Sequence, residues 1–370
     1  MPPARPPRPA RRPWVAPLKL VLRLSVMGVG LGVITGTGLR LLAPRLALGA
    51  SSQSTTPRDP APGFGAAQAW PGGRGAAALG SFEPRTEITA VSRQWQRLAA
   101  KHKDLTASGY LLVLDDGRFA QLQSTVPLPA ASSIKTPILL VALQSFDSGR
   151  LSWNEALPMT KEVVGGGAGW MASRPVGSRF PFFEAATEMI RVSDNTATNL
   201  LIKRLGGKAA VNARFTALGL GGTVINNWLP DLDGTNTTSA HDLARAIALV
   251  DTGEKLSPRA RDLFREVMGT SRTNTLLPLG LLMGLGGDSA DPDSDLLGHG
   301  VTVLNKTGDI GIAYADGGLI ELPNGQRAVA AFLVKGPFND QRSTDLIRAM
   351  AAEVARSLIG KPRASAAPRP

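Results

Sequence analysis

The 370-residue chain has no cysteine and only three histidines, His102, His241 and His299. The first absence excludes disulfides, a thiol nucleophile and a thiolate-held zinc site. The histidines are far apart in sequence, and none falls in a His-x-x-His or His-Glu pattern. That argues against a metal centre and against a Ser-His-Asp triad, so surface or capping roles are expected for all three. No 20–50-residue repeat is present, which excludes a solenoid or propeller. Charged residues are only 19% of the chain against 43% hydrophobic, a globular and not a disordered composition. The stretch Gly165-Gly166-Gly167-Ala168-Gly169-Trp170 lacks both a preceding strand and a following Gly-Lys-Ser/Thr. It is therefore not a phosphate loop and reads as a flexible rim of a cleft, with Trp170 as a wall. The run Leu276 to Gly287 is too short and too interrupted by Gly and Pro to cross a membrane, and reads as core and loop.

Acidic residues are nearly missing from the first sixty positions. Nine Lys/Arg stand there against Asp59 alone, so most of the net charge of +12 belongs to this tail. A nucleic-acid-binding role for the remainder is not indicated. Within the tail, Leu24 to Leu39 carry no charge and lie between Arg23 and Arg40. A basic segment ahead of an apolar run reads as a signal sequence or signal anchor with its N-terminus inside. Leu18 to Leu22 and Leu41 to Ala43 lengthen the run to spanning length if Arg23 and Arg40 snorkel. Ala47-Leu48-Gly49-Ala50 offers small residues for cleavage, but an uncleaved anchor is the favoured reading. The expected layout is a basic tail at 1–19, a transmembrane anchor at 20–43, a Gly/Ala/Pro-rich linker at 44–85, one domain at 86–360 and a disordered tail at 361–370.

Three short strings carry the chemistry: Ser132-Ser133-Ile134-Lys135, Ser193-Asp194-Asn195 and Lys306-Thr307-Gly308. Serine is a poor nucleophile until a neighbouring base takes its proton. Residues three apart on a helix share a face, so Lys135 is expected within contact of Ser132. Thr136 to Gln144 reads as an apolar helix, which puts Ser132 in its first turn, where the helix dipole favours developing negative charge. Burial beside a second cation such as Lys306 would depress the Lys135 pKa and make it a usable base. In the second string, a turn between two helical patterns would project the Ser193 hydroxyl and the Asn195 amide into a cleft. The third follows an alternating β-branched run, Val301 to Asn305. Lys306 and Thr307 would attract a carboxylate, and Gly308 would allow close approach to the strand. The backbone N–H groups of Ser132 and Asp309 would form an oxyanion hole. Each string alone also fits something ordinary: an N-cap serine with a surface lysine, a capping cluster, a cation at a hairpin edge. All three in this order are the signal.

The surrounding pattern predicts an α+β fold. A helix is expected near 88–102, then a hairpin of 109–114 and 118–123 around Asp115-Asp116-Gly117. An all-helical middle follows from Ser132 to about Met283. Strands then start at Val301, Gly317 and Ala328, and a last helix runs from Asp340 to Leu358. Strands from both ends would form one antiparallel sheet of about five, flanked by the helical middle.

With those strings and Met189 to Gly207 (MIRVSDNTATNLLIKRLGG), Asn305 to Ile310 (NKTGDI) and Asn236-Thr237-Thr238-Ser239, the chain resembles serine hydrolases of the class A β-lactamase and penicillin-binding protein superfamily. The resemblance spans about residues 86–360. It implies nucleophile Ser132, base Lys135, proton relay Ser193, amide holder Asn195, and Lys306 and Thr307 as carboxylate clamp, with no metal or cofactor. It also implies a glutamate on a Glu-Pro-Glu-Leu-Asn loop that activates the deacylating water. Here the matching segment is Leu229-Pro230-Asp231-Leu232-Asp233, so Leu229 stands in that place, and Asp231 or Asp233 would serve only if the loop folds differently.

The function expected is therefore a single-pass inner-membrane serine hydrolase with a monomeric catalytic domain in the periplasm, or a secreted one if the anchor is cleaved. It would act through an acyl-enzyme on β-lactams or related peptidoglycan peptides, without nucleic acid. The alternatives are a D-alanyl-D-alanine carboxypeptidase-like penicillin-binding protein with slow deacylation, and a non-catalytic wall-binding module.

Overall fold

The computed structural model describes residues 82–360. The basic tail, the expected anchor at 20–43, the linker up to residue 81 and the last ten residues lie outside the described residues. No helix among the described residues is long and apolar enough to cross a membrane.

Strand β1 (Thr86–Glu87) leads into helix α1 (Thr89–Ala99), whose Val91 and Trp95 are buried while Arg93 and Arg97 face out. A hairpin follows, β2 (Thr106–Val113) and β3 (Arg118–Leu122), closed where Gly117 takes a φ of +76°. The helical region holds α2 (Lys135–Asp147), α3 (Phe182–Arg191), α4 (Asn195–Arg204), α5 (Gly207–Ala217), α6 (Ala240–Asp251), α7 (Pro258–Met268), α8 (Leu277–Gly284) and α9 (Pro292–Gly298). Strands β4 (Thr302–Asp309), β5 (Ala313–Glu321) and β6 (Arg327–Lys335) then precede α10 (Gln341–Leu358). Helix starts follow local chemistry. Side chains of Asp194, Ser239, Ser257 and Asp340 each accept a backbone N–H of the first turn.

The main sheet has the order β1-β3-β2-β6-β5-β4. Its five long strands are antiparallel, as the pattern predicts, but β1 pairs with β3 in parallel, so the sheet is mixed and six-stranded. The middle is also not wholly helical. Two short ribbons interrupt it, Ala156–Pro158 against Arg179–Pro181 and Leu128–Pro129 against Thr237–Thr238. Prolines at three of those strand ends limited the β signal in the sequence.

Period-two alternation along β6 explains why both faces are covered. Ala328, Ala330, Phe332 and Val334 join Trp95, Ile347 and Met350 of α1 and α10 on one side. Val329, Ala331 and Leu333 join Leu243 and Ile247 of α6 on the other. The remaining helices wrap α2, which is apolar all round and buried from Ile138 to Leu143. The Leu276–Gly287 run is more helical than its Gly and Pro content suggested. Pro278 sits in the first turn of α8, where no N–H is needed, and Gly280 and Gly284 let its backbone lie on α10. A Cβ at those positions would come within 2.7 Å of the Arg348 carbonyl and 2.4 Å of the Ala352 carbonyl.

Candidate active site

The nucleophile candidate enters from a tight turn. Residues Ala131–Ile134 form a 3-10 turn and α2 begins at Lys135, so Ser132 stands just ahead of the helix and not within it. Ala131 takes a φ of +46°. Ser193, in the second string, takes +60°. Non-glycine residues rarely adopt this region, at a cost of about 1–3 kcal/mol each, and both instances adjoin or carry a reactive hydroxyl.

Lys135 is fully buried, and its Nζ is the meeting point of the first two strings. It lies 3.0 Å from Ser132 Oγ, 2.9 Å from Ser193 Oγ, 2.9 Å from Asn195 Oδ1 and 2.6 Å from the Ser193 carbonyl. An ammonium has three protons for these four acceptors. A neutral amine would instead accept the Ser132 hydroxyl proton across the same 3.0 Å. Burial pushes the Lys135 pKa well below its ordinary value, and the Lys306 charge adds to that while Asp194 opposes it. A buried amine whose pKa is pushed down, in contact with a serine hydroxyl, is what general-base activation of serine requires.

The third string lies on β4, the edge strand. Lys306 is buried, with Nζ donating to the Thr307 carbonyl, and burial lowers its pKa to about 8 against the opposing charge of Asp316. Asp316, opposite Thr307 on β5, is itself buried and pushed up to about 6; it accepts from Asn305 Nδ2 and from the Leu277 N–H. Gly308 has a structural reason beyond substrate access. A Cβ there would lie 2.8 Å from the backbone nitrogens of both Ser132 and Ser133. The glycine therefore seats the edge strand directly against the nucleophile turn. Ser132 and Asp309 line one cavity of ≈ 200 Å³, as the oxyanion-hole reading needs.

The same cavity is bounded by Leu229, Pro230, Asp231, Leu232, Gly167 and Ala168. Leu229 is buried and held by its backbone: its N–H donates to Asn199 Oδ1 at 2.9 Å, and its carbonyl accepts from Asn199 Nδ2 at 2.7 Å. Asp231 spends its carboxylate within the loop, accepting from Thr235 Oγ1 and from the Asn236 N–H. Asp233 is exposed and does not line the cavity. Asp309, the other acid on the wall, is exposed and accepts from the Gly311 N–H. Asn199 is a residue the sequence reading missed. It lies one helical turn past Asn195, on the same face of α4, and that spacing was the available signal.

Asp194 and Asn195 also pin the Gly-rich loop. Asp194 Oδ2 accepts from the Trp170 and Met171 N–H groups, Asn195 Nδ2 donates to the Gly166 carbonyl, and the Asn195 N–H donates to the Ala168 carbonyl. The expected amide holder thus already holds a protein carbonyl. The wall itself is Gly167 and Ala168. Trp170 turns away, its indole N–H donating to the buried Glu188, which also pairs with Arg191. The capping reading of the second string holds, since Asp194 caps α4, and its neighbours Ser193 and Asn195 both contact Lys135 Nζ. Among the described residues, no group of three or more His, Cys, Asp or Glu is placed to hold a metal.

A family model described as the beta-lactamase enzyme family matches residues 90–358. A β-lactamase of Rhodobacter capsulatus is 33% identical over 143 residues, which is 37% of this chain and 48% of that protein. One of Streptomyces cellulosae is 24% identical over 276 residues, 72% of this chain and 78% of its own. The chain thus spans about half the length of the first of these relatives. Among solved structures, one of a protein named PBP-A is 42% identical, with a TM-score of 0.69, covering 75% of this chain and 98% of its own. A second is a leucine-to-glutamate mutant of PBP-A as an acyl-enzyme complex with penicillin G, also 42% identical, with a TM-score of 0.68 over 74% of this chain and 98% of its own.

Proposed function

This chain belongs to the beta-lactamase enzyme family, and on that premise we propose that it is a penicillin-binding serine hydrolase that acylates readily and deacylates slowly. Ser132 attacks the carbonyl of a β-lactam or a peptidoglycan peptide, and Lys135 takes its proton. The N–H groups of Ser132 and Asp309 face the oxyanion. Ser193 relays the proton to the leaving nitrogen, and the Lys306 charge with the Thr307 hydroxyl draws the substrate carboxylate. The observation that carries acylation is the buried Lys135 Nζ within 3.0 Å of both serine hydroxyls.

Slow deacylation rests on the other wall. Leu229 lines the cavity beside Ser132, and the carboxylates of Asp231 and Asp309 are each engaged by their own loops. The PBP-A relative, whose leucine-to-glutamate mutant forms an acyl-enzyme with penicillin G, supports reactivity of this class. This favours the penicillin-binding reading over rapid β-lactamase turnover. The test is mass spectrometry of the purified protein mixed with penicillin G and followed in time. A stable adduct on Ser132 is expected; no adduct, with no loss of penicillin, would leave only a wall-binding role.

We also propose that Leu24 to Leu39 anchor the chain in the inner membrane, with the catalytic domain outside the cytoplasm. Nine basic residues against one acid in the first sixty favour that orientation. An alkaline-phosphatase fusion after residue 60 should be active in a bacterial host, and an inactive fusion of normal abundance would refute it.

A further inference from the structure

Residues 82–360 carry 28 Lys/Arg and 28 Asp/Glu, so the described domain is electrically balanced as a whole. The balance is not local. Ile88 to Lys103 holds four cations, Arg93, Arg97, Lys101 and Lys103, and no acid. All four are exposed, and none forms an ion pair among the described residues, whereas Asp104 just beyond them is paired with Arg342. Arg93, Gln96, Arg97 and Ala100 recur at helical spacing and line one open groove of ≈ 510 Å³ on the outer face of α1. The inner face is committed to the core: Trp95 is fully buried and its indole N–H donates to the Met350 carbonyl. The outer face therefore has cations, no neutralising partner and no packing duty. It is also the face of the first helix after the Gly/Ala/Pro-rich stretch that follows Leu24 to Leu39.

From this we infer that the outer face of α1 docks the catalytic domain on anionic lipid headgroups. The inference rests on the anchor reading above for its choice of partner, since an anchored chain has a lipid surface always at hand. The chemistry is a point-charge match: each Lys or Arg near an anionic leaflet favours contact by about fivefold, within a screening distance of about 8–10 Å at ordinary salt. Flexible stems let the four charges reach headgroups, and Gln96 and Ala100 between them carry no opposing charge. Docking by α1 would hold the domain in one orientation over the membrane. A soluble anionic polymer has similar chemistry, and the test separates the two.

The full chain is reconstituted into vesicles of phosphatidylcholine, with or without phosphatidylglycerol, and backbone hydrogen exchange of α1 is compared. Exchange of the Arg93 to Lys101 amides is expected to slow by about tenfold or more on the anionic vesicles only. High salt should remove the effect, and so should the joint change Arg93→Gln, Arg97→Gln, Lys101→Gln and Lys103→Gln. Retained acylation of Ser132 by penicillin shows that this variant is folded. Equal exchange on both vesicle types overturns the inference, as does protection that survives in the variant. Equal protection by polyphosphate without vesicles overturns it in favour of a polymer. Flotation with neutral vesicles reads the anchor separately: a chain that does not float loses the anchor, while the lipid-charge comparison still decides the docking.

Discussion

The two walls of the cavity are built by different means. On the acylation side, side chains from two strings sixty residues apart converge on one buried nitrogen, and each contact is between reactive groups. On the side of Leu229 to Asp233, the loop is held by its backbone, through Asn199, and by an aspartate that satisfies its own neighbours. In the proposed mechanism the first wall moves a proton. The second keeps a shape, and the apolar Leu229 lines the same cavity as Ser132. An enzyme with both walls reactive would turn over; one with this pair should stall after the first half-reaction.

The strongest break of the comparison is at its reactive wall. Ser132→Ala should abolish labelling by a fluorescent penicillin, and labelling that persists would move the nucleophile elsewhere. Lys135→Ala should slow acylation by about 10²–10⁴-fold, the usual contribution of a general base, while circular dichroism stays native. Normal acylation in that variant would transfer the base role to another residue.

The opposite wall should respond in the opposite direction. Leu229→Glu places a carboxylate on the cavity beside the acyl-enzyme and should shorten the adduct lifetime, by up to about 10²–10⁴-fold if a water is activated. Asp231→Asn and Asp233→Asn should leave that lifetime unchanged within about threefold. A large lengthening in either would identify that aspartate as the base.

The contrast also bears on what the sequence conveys. Juxtapositions at fixed spacing were legible: Ser132, Ser193 and Asn195 all contact Lys135 Nζ, and the strand that carries Lys306 lies against the Ser132 turn at Gly308. The alternating strands and the Ser239 cap were legible too, because each is a local pattern. Contacts that depend on how distant backbones approach were not. Gly308 looked like an opening for substrate and turned out to be a seat for the Ser132 turn. Asn199 stands one turn past Asn195, but its partner is the Leu229 backbone thirty residues away, which that spacing does not name. The short parallel strand β1 and the direction of Trp170 were hidden for the same reason.

A subtler difference appears in pH. Lys306, lowered to about 8 by burial, loses its charge as pH rises through that value, so carboxylate recognition should fail there. Burial and the Lys306 charge push Lys135 well below its ordinary value too, and the proposed base role needs it uncharged, so its deprotonation does not limit the alkaline side. The second-order acylation rate should therefore drop about tenfold per pH unit above about 8. Stability should run the other way. Between about 8 and the ordinary lysine range the unfolded chain binds more protons than the folded one, so unfolding free energy rises with pH. Loss of acylation with a rising melting temperature would separate the two. Lys306→Arg, which cannot deprotonate, should abolish the alkaline limb if the variant folds; an unchanged limb would assign it to another group.

The smallest expected effect tests the shape-keeping wall directly. Asn199→Ala removes the side chain that pairs with both the Leu229 N–H and the Leu229 carbonyl, and should cost about 1–3 kcal/mol. At this domain size that is a fall in melting temperature of about 2–4 °C per kcal/mol. Asn199→Asp sharpens the point. It keeps an acceptor for the Leu229 N–H but loses the donor to the Leu229 carbonyl and sets a buried carboxylate against it, so it should be less stable than the alanine variant. Acylation by penicillin should stay within about threefold of wild type in both, because Asn199 bonds to neither Ser132 nor Lys135. Hydrogen exchange at the Leu229 amide should speed up in the alanine variant ahead of global unfolding. If acylation instead collapses with the loop, the two walls are one cooperative unit, and the division between a reactive and a shape-keeping side does not hold.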